Sequence, residues 1–306
     1  MPILFALVGA TAVGKTQQSL ALAQKYNAEI ICLDSRQIYR EFSIGTAQAT
    51  KAELQMAPHH LVGFLDPLQL FSAGEFIKKV QALLQENPEQ NYILVGGTGL
   101  YLRSLSLGLA PIPSIDPFIR EEIQNQLQNK GIEALYQKAM QEDPIATQKI
   151  TPQDTHRILR ILEVKQQTGQ KLSELQNNRE GGHGEILTFY LHRPREELYH
   201  RIHQRIDHML QNGWPQEVSQ LSQIYPLHAP AWQSLGYREL LSVQNQKTTL
   251  KHAIEHIQKS TRHYAKRQIT WFKHQCPHIP LDLSTLSNQQ IQEQIHHQLQ
   301  AKLTTN

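Results

Sequence analysis

The stretch Ile3-Leu4-Phe5-Ala6-Leu7-Val8-Gly9-Ala10-Thr11-Ala12-Val13-Gly14-Lys15-Thr16 decides the fold. Its first six residues form an unbroken apolar run, which reads as a strand buried on both faces. The next eight fit G-x-x-x-x-G-K-[ST]. Residues 16–26 carry Leu20, Ala21 and Ala23 with few breakers, and read as a helix. A strand, a glycine loop and a helix together are the context in which this pattern cradles phosphate. The glycines let backbone N–H groups wrap phosphate oxygens, and the helix N-terminus adds partial positive charge. Lys15 neutralises phosphate charge, and the Thr16 hydroxyl is available to Mg²⁺. Gly9, Ala10, Thr11, Ala12, Val13, Gly14, Lys15 and Thr16 are therefore the expected phosphate site.

Outward from this loop, Ala28–Leu33 is a second apolar strand ending at Asp34-Ser35. Residues 76–84 look helical, and 92–95 form a third strand ending at Gly96-Gly97-Thr98. Residues 185–191 alternate weakly as a fourth strand, and 279–283 suit a fifth. Strands alternating with helices predict an α/β fold, a P-loop parallel sheet with helices on both faces. Between the third and fourth strands, Pro111-Ile112-Pro113-Ser114 breaks the chain. Residues 115–184 then hold helical segments without a convincing strand, and Arg179-Glu180-Gly181-Gly182-His183-Gly184 returns as a loop. The expected organisation is a core of 1–114 and 185–306 around an all-helical insertion of 115–184. No internal repeat is present.

Of 306 residues, 40% are hydrophobic and 19% charged, a globular balance and not a disordered one. No apolar run approaches the roughly 20 residues of a membrane helix. The N-terminus lacks a basic leader and a small-residue cleavage site, so a cytoplasmic chain is expected. The two cysteines, Cys32 and Cys276, make no disulfide framework and favour a reduced compartment. Net charge is +3, but unevenly spread. Residues 251–274 hold Lys251, Lys259, Arg262, Lys266, Arg267 and Lys273 against Glu255, a local +5 that leaves −2 for the rest. Local positive charge is the footprint expected of a polyanion partner. His59-His60 and His296-His297 lack cysteine or carboxylate partners at ligand spacing, and read as surface or structural residues.

A P-loop specifies phosphates and leaves the reaction open. An NTPase adds an acidic residue at the end of another apolar strand to hold its metal, whereas the third strand here ends in Gly96-Gly97-Thr98. Asp34 ends the second strand, and suits either a displaced metal ligand or a base facing an acceptor. A small-molecule kinase or NTPase remains one alternative at this point.

Several blocks together resemble one family, the tRNA dimethylallyltransferases. They are Gly9 to Thr16, Asp34-Ser35-Arg36-Gln37-Ile38-Tyr39, Ile44-Gly45-Thr46-Ala47, His59-His60-Leu61 with Asp66-Pro67, and Phe71-Ser72-Ala73 with Phe76. Gly96-Gly97-Thr98-Gly99-Leu100-Tyr101, Gly236-Tyr237-Arg238-Glu239 and Lys266-Arg267-Gln268-Ile269-Thr270-Trp271-Phe272 complete the match, in order, over nearly the whole chain. Four departures stand out. Ala10 replaces a common Pro and Val13 a common Ser, Gln48 stands where Lys is frequent, and Gly63 where Asp is frequent. The last two bear on the wall of the expected tunnel. The zinc-finger extension of eukaryotic members is absent, as in the bacterial type.

The resemblance implies transfer of a dimethylallyl group from dimethylallyl diphosphate to N6 of the adenosine 3′ of the anticodon (position 37), in tRNAs reading codons that begin with U. It implies Asp34 as general base, Thr98 as an orienting hydroxyl, and Arg201 with Arg205 as a clamp on the leaving diphosphate alongside Mg²⁺ on Thr16. Arg201 and Arg205 are four apart in a helical segment and share a face. The implied tRNA contacts are Asp34, Ser35, Arg36, Gln37, Thr98, Arg120, His156, Arg157, Ile158, Leu159, Arg160, Gly236, Arg238, Lys266, Arg267 and Gln268. The implied partner is the tRNA anticodon stem-loop, and the implied state a monomer. An adenine stacked in that loop must be flipped out to reach the P-loop. Lys259, Lys266 and Lys273 recur every seven residues with His263 and Thr270 on the same stripe, while Ile254, Ile257, Tyr264 and Trp271 cover another. An adenylate isopentenyltransferase using free AMP is the related alternative. It needs neither the basic helix nor the long insertion.

Overall fold

The computed structural model describes residues 2–305. Six strands form one sheet in which every pairing is parallel: β1 (Leu4–Gly9), β2 (Ala28–Leu33), β3 (His59–His60), β4 (Asn91–Gly96), β5 (Leu187–His192) and β6 (Ile279–Asp282). Their spatial order is β3-β2-β4-β1-β5-β6, which puts β1 near the middle, paired with both β4 and β5. Phe5, Ala6, Leu7 and Val8 are all fully buried. Neighbouring side chains on a strand point to opposite faces, so burial of all four means that both faces of the sheet are covered. The α/β reading and the five expected strands hold. The sixth, β3, is a two-residue edge strand seated on β2, with Ile30 opposite His59 and Ile31 opposite His60. Two residues carry no periodicity, so it left no pattern to read. His60 instead meets Glu29 at 2.5 Å and His59 bonds the Ala57 carbonyl; these histidines are structural, as expected.

Among the described residues there are thirteen α-helices: α1 (Lys15–Tyr26), α2 (Lys51–Met56), α3 (Ala73–Glu86), α4 (Gly99–Leu107), α5 (Pro117–Glu142), α6 (Pro144–Thr147), α7 (Thr155–Thr168), α8 (Leu172–Leu175), α9 (Arg195–Gln211), α10 (Trp214–Ile224), α11 (Tyr237–Gln244), α12 (Leu250–Gln275) and α13 (Asn288–Thr305). Local chemistry fixes several starts. Thr50 with Glu53 and Ser72 with Glu75 form capping boxes that satisfy the free N–H groups opening α2 and α3. Asp154 caps α7 and Thr249 caps α12.

The chain divides into two compact units, residues 1–103 with 185–306, and residues 104–184. The first bound precedes the Pro111-Ile112-Pro113-Ser114 break on which the sequence reading placed it. The cause is local: Leu109 pairs antiparallel with Glu180, so the segment before the prolines already belongs to the second unit. Residues 1 and 306 lie outside the described residues. The second unit is helical with its own core, where Ile123 and Leu135 of α5 meet Ile158, Ile161 and Leu162 of α7. α5 is interrupted at Gly131 (φ 77°).

Asp143 anchors this second core. It is fully buried and accepts hydrogen bonds from the Ser173 N–H at 2.8 Å, the Ser173 hydroxyl at 2.7 Å and the Ala146 N–H at 3.1 Å. Burial alone raises its pKa, but the Ser173 and Ala146 donors and the Lys171 charge outweigh it and hold the carboxyl below its ordinary value. Its contribution is therefore present above the ordinary carboxylate range and is lost as pH falls through the folded value. Asp143→Asn, which turns an acceptor toward these donors into a donor, is expected to cost about 1–3 kcal/mol in thermal or denaturant unfolding.

Candidate active site

The phosphate loop joins β1 to α1 at the carboxyl end of the sheet, where ligands bind in open α/β folds. Gly14 has φ 114°, a left-handed conformation that the glycine adopts without strain. Lys15 folds back over its own loop, and its ammonium donates to the carbonyls of Gly9 at 3.0 Å and Ala10 at 2.9 Å. Burial, helped by the Arg205 charge, lowers Lys15 to about 8, against an opposing pull from Asp34.

Three arginines grip the same loop from the side. Arg201 Nε donates to the Ala12 carbonyl at 2.9 Å, and Arg205 reaches the Thr11 hydroxyl at 3.3 Å. They share one face of α9, as their spacing predicts. The third, Arg193, donates from Nε to the Val13 carbonyl at 3.0 Å and is ion-paired with Glu197. Sequence reading passed it over; its signal was a cation just past the end of β5, the same relation Asp34 has to β2. Burial lowers the pKa of both Arg201 and Arg205, and the Arg193 charge adds to it at Arg201.

Lys15, Arg201 and Arg205 open onto a cavity of about 1280 Å³ in the first unit. Asp34 lines it, and its Oδ1 accepts the N–H of Arg36 at 2.8 Å and of Gln37 at 3.4 Å. Among the described residues no donor reaches Oδ2. The Thr98 hydroxyl accepts the Ser35 N–H at 3.0 Å, which ties the loop after β4 to the loop after β2. Asp34, Thr98, Lys15, Arg201 and Arg205, expected from the sequence, are thus brought to one place. Tyr264 of α12 joins them. It lines the cavity beside Asp34, and burial, with Asp34 nearby, raises its pKa. The sequence reading gave Tyr264 to a packing face; half-apolar tyrosines give the same signal in core and site.

The cavity wall is set by Glu217. This buried carboxylate accepts the N–H groups of Ser43 and Ile44 and the hydroxyls of Ser43 and Tyr237, at 2.6–3.0 Å. Gln48 and Gly63, two of the four departures from the family pattern, touch each other. A Cβ on Gly63 would stand 3.0 Å from Gln48 Oε1, while Gln48 Nε2 bonds the Tyr39 carbonyl at 2.6 Å.

Ser35, Arg36, Gln37, Arg267 and Gln268 also line this cavity, and other expected residues fall elsewhere. Arg267 lies over the Tyr264 ring at 5.7 Å, and Lys266 is exposed on α12 with Lys259 and Lys273. Gln37 also serves locally, since its amide bonds the Thr46 and Ala47 carbonyls. Gly236 packs on the buried Trp214, where a Cβ would stand 2.1 Å from the ring, and Arg238 follows it, exposed on α11. In the second unit Arg120, His156 and Arg157 are exposed and Arg160 half-buried, with Arg157 at 3.5 Å from Asp154 and Arg160 at 3.6 Å from Glu163. Ile158 is buried in that unit's core and Leu159 packs against it, so their side chains do not present an RNA surface. Gln268 is buried as well.

Residues 37–275 match the model of the IPP transferase family, a span that begins after the phosphate loop. The tRNA dimethylallyltransferase of Levilactobacillus brevis is 44% identical over 275 residues, covering 88% of this chain and 89% of that protein. That of Fusobacterium nucleatum is 40% identical over 291 residues, 95% of each. The crystal structure of tRNA delta(2)-isopentenylpyrophosphate transferase from Staphylococcus epidermidis superposes with a TM-score of 0.71 at 32% identity, covering 99% of this chain and 100% of that one. A eukaryotic dimethylallyltransferase acting on tRNA aligns with a TM-score of 0.79 at 29% identity, over 92% of this chain and 74% of that chain.

Proposed function

This chain belongs to the IPP transferase family, and from that premise we propose that it transfers a dimethylallyl group from dimethylallyl diphosphate to N6 of the adenosine 3′ of the anticodon, in tRNAs reading U-starting codons. The observation that carries the reading is the convergence of a carboxylate, Asp34, with Lys15, Arg201 and Arg205 around one cavity. A diphosphate leaving group needs the cations, and an amine acceptor needs the base.

The diphosphate lies on the backbone N–H groups opening α1, with Lys15 swinging from its own loop carbonyls onto phosphate. Arg201 and Arg205 face it from α9. Charge grows on the diphosphate as the C1–O bond breaks, and fixed cations in a water-poor cavity stabilise it without reorganising. Mg²⁺ fits this donor set. Thr16 offers a hydroxyl on the cavity, and among the described residues no three His, Cys, Asp or Glu side chains form a cage; Mg²⁺ is commonly held by one or two protein groups plus substrate phosphates and water. When bound it supplies further neutralisation of the leaving group.

The adenine amine is a weak nucleophile because its lone pair is delocalised into the ring. Asp34 accepts an N6 hydrogen, localises that pair and takes the proton as the C–N bond forms. Thr98 and Tyr264 orient the amine. The adenine reaches the cavity flipped from the anticodon loop, passing Ser35 and Arg36. Lys266 and Arg267, with the exposed stripe of α12, Arg238, and Arg120, His156, Arg157 and Arg160 of the helical unit, meet the phosphates of the anticodon stem-loop. The enzyme acts as a monomer in the cytoplasm. No helix among the described residues is long and apolar enough to cross a membrane.

The test is transfer of radiolabel from dimethylallyl diphosphate, offered with unmodified tRNA or with AMP. Label is expected in tRNA and not in AMP. Label in AMP would reassign the chain to the free-nucleotide relatives, and ATP hydrolysis without transfer would reassign it to kinases and NTPases.

A further inference from the structure

Five side chains of α12 are buried: Ala253, Ile257, Ala265, Gln268 and Phe272. Gln268 is the polar one, and its carboxamide spans two loops far apart in sequence. Oε1 accepts the Thr11 N–H at 2.9 Å, and Nε2 donates to the Gly97 carbonyl at 3.1 Å. A Cβ on Gly97 would stand 2.0 Å from Nε2, so only glycine admits the amide there. Its neighbours on the same stripe act on the same loop. Tyr264 lies beside Thr98, and Trp271 lies on Gly99, where a Cβ would stand 2.0 Å from the indole. Three positions of one helix thus address three successive residues, Gly97, Thr98 and Gly99. The opposite face exposes Lys259, Lys266 and Lys273.

The geometry points to Gln268 as a positioning residue that locks the phosphate loop to the Thr98 loop through α12, and not as an RNA contact. This rests on the proposed reaction, in which the phosphate loop takes the diphosphate and the outer face of α12 takes RNA. The bond to Gly97 is buried and the bond to Thr11 partly buried, and a carboxamide supplies the acceptor and the donor from one rigid plane. Losing it leaves a buried carbonyl and a partly buried N–H unpaired and frees the two loops to shift relative to each other. Shifts of an ångström between reacting groups cost large factors in rate. The loss therefore falls on donor binding and on chemistry, while the RNA face of α12 keeps its charges.

The experiment uses the full chain with Gln268→Met, which removes both bonds, Gln268→Glu, which keeps the acceptor for Thr11 and loses the donor to Gly97, and Lys266→Ala. The measured quantities are KM for dimethylallyl diphosphate, kcat with unmodified tRNA, and tRNA Kd by filter binding. Gln268→Met is expected to raise donor KM and lower kcat about tenfold each, with tRNA Kd within about twofold of wild type, and Gln268→Glu to fall between. Lys266→Ala is expected to weaken tRNA binding and leave donor KM unchanged. Should Gln268→Met prove too unstable to assay, Gln268→Glu decides by the same split. The inference is overturned by Gln268 variants that weaken tRNA binding at unchanged donor KM, or that change none of the three quantities. Wild-type chain that fails to label tRNA overturns the proposed reaction itself, a result seen before any variant is made.

Discussion

Asp34→Asn is expected to lower kcat by roughly 10²–10⁴-fold, the range general-base catalysis contributes, and to leave tRNA affinity within a few-fold of wild type. The substitution is selective because the two functions of the side chain separate by atom. Oδ1 accepts the N–H groups of Arg36 and Gln37, and an asparagine oxygen in the same place keeps both bonds and so keeps the loop. What is lost is the capacity to take a proton. Single-turnover transfer with excess enzyme reads the chemical step directly, and filter binding reads the tRNA. A loss below about tenfold would remove Asp34 from the base role and return it to the alternative of a metal-side residue.

The second large effect belongs to Lys15. Lys15→Met is expected to reduce kcat/KM for dimethylallyl diphosphate by roughly 10²–10³-fold, comparable to removing one fixed donor from a developing anion. The wild-type lysine also makes a pH-dependent prediction. Burial and Arg205 bring its free-enzyme pKa to about 8. A bound diphosphate stabilises the ammonium and raises that value. Binding near pH 8.5 must therefore take up a proton, and affinity must fall as pH rises above about 8. Calorimetry of dimethylallyl diphosphate without tRNA, an ester that has lost its protons well below this range, in buffers of different ionisation enthalpy measures the uptake. Lys15→Met should abolish it, and an uptake that survives the substitution would place the titrating group elsewhere.

How much of this was legible in the sequence depended on the kind of signal. Unbroken apolar runs announced β1, β2 and β4, because burial of consecutive side chains on both faces leaves no polar positions, while β5 showed only weak alternation and β6 a short mixed run. β3 is two residues long and paired on one side, so nothing in its composition distinguishes it from a loop. The order of strands is set by which edges meet in space, and a run of valines and isoleucines does not encode its neighbour. Asp34, Thr98, Lys15 and the α9 arginines were legible because they sit at strand ends or one helical turn apart. Arg193 and Tyr264 were missed because an arginine before a proline and a tyrosine on an apolar stripe have more common explanations. Gln268 and Ile158 were read as surface contacts from the resemblance. Their helical phase, in line with Ala265 and Phe272 and with Ile161 and Leu162, is the feature that would have corrected both.

The contact between Gln48 and Gly63 couples the two positions. In the family pattern these positions favour Lys and Asp, and here they touch as an uncharged pair. Neither half can be exchanged alone without penalty. Gly63→Asp at the present φ of 55° would put a branched carboxylate beside the Gln48 oxygen in a left-handed conformation, while Gln48→Lys would leave an ammonium in the wall with no counter-charge. Replacing both residues together is therefore expected to cost less than the sum of the single changes, a coupling that a double-mutant cycle measures. Grafting either residue singly from a relative would meet the same penalty, so position 48 and position 63 are best exchanged as one unit.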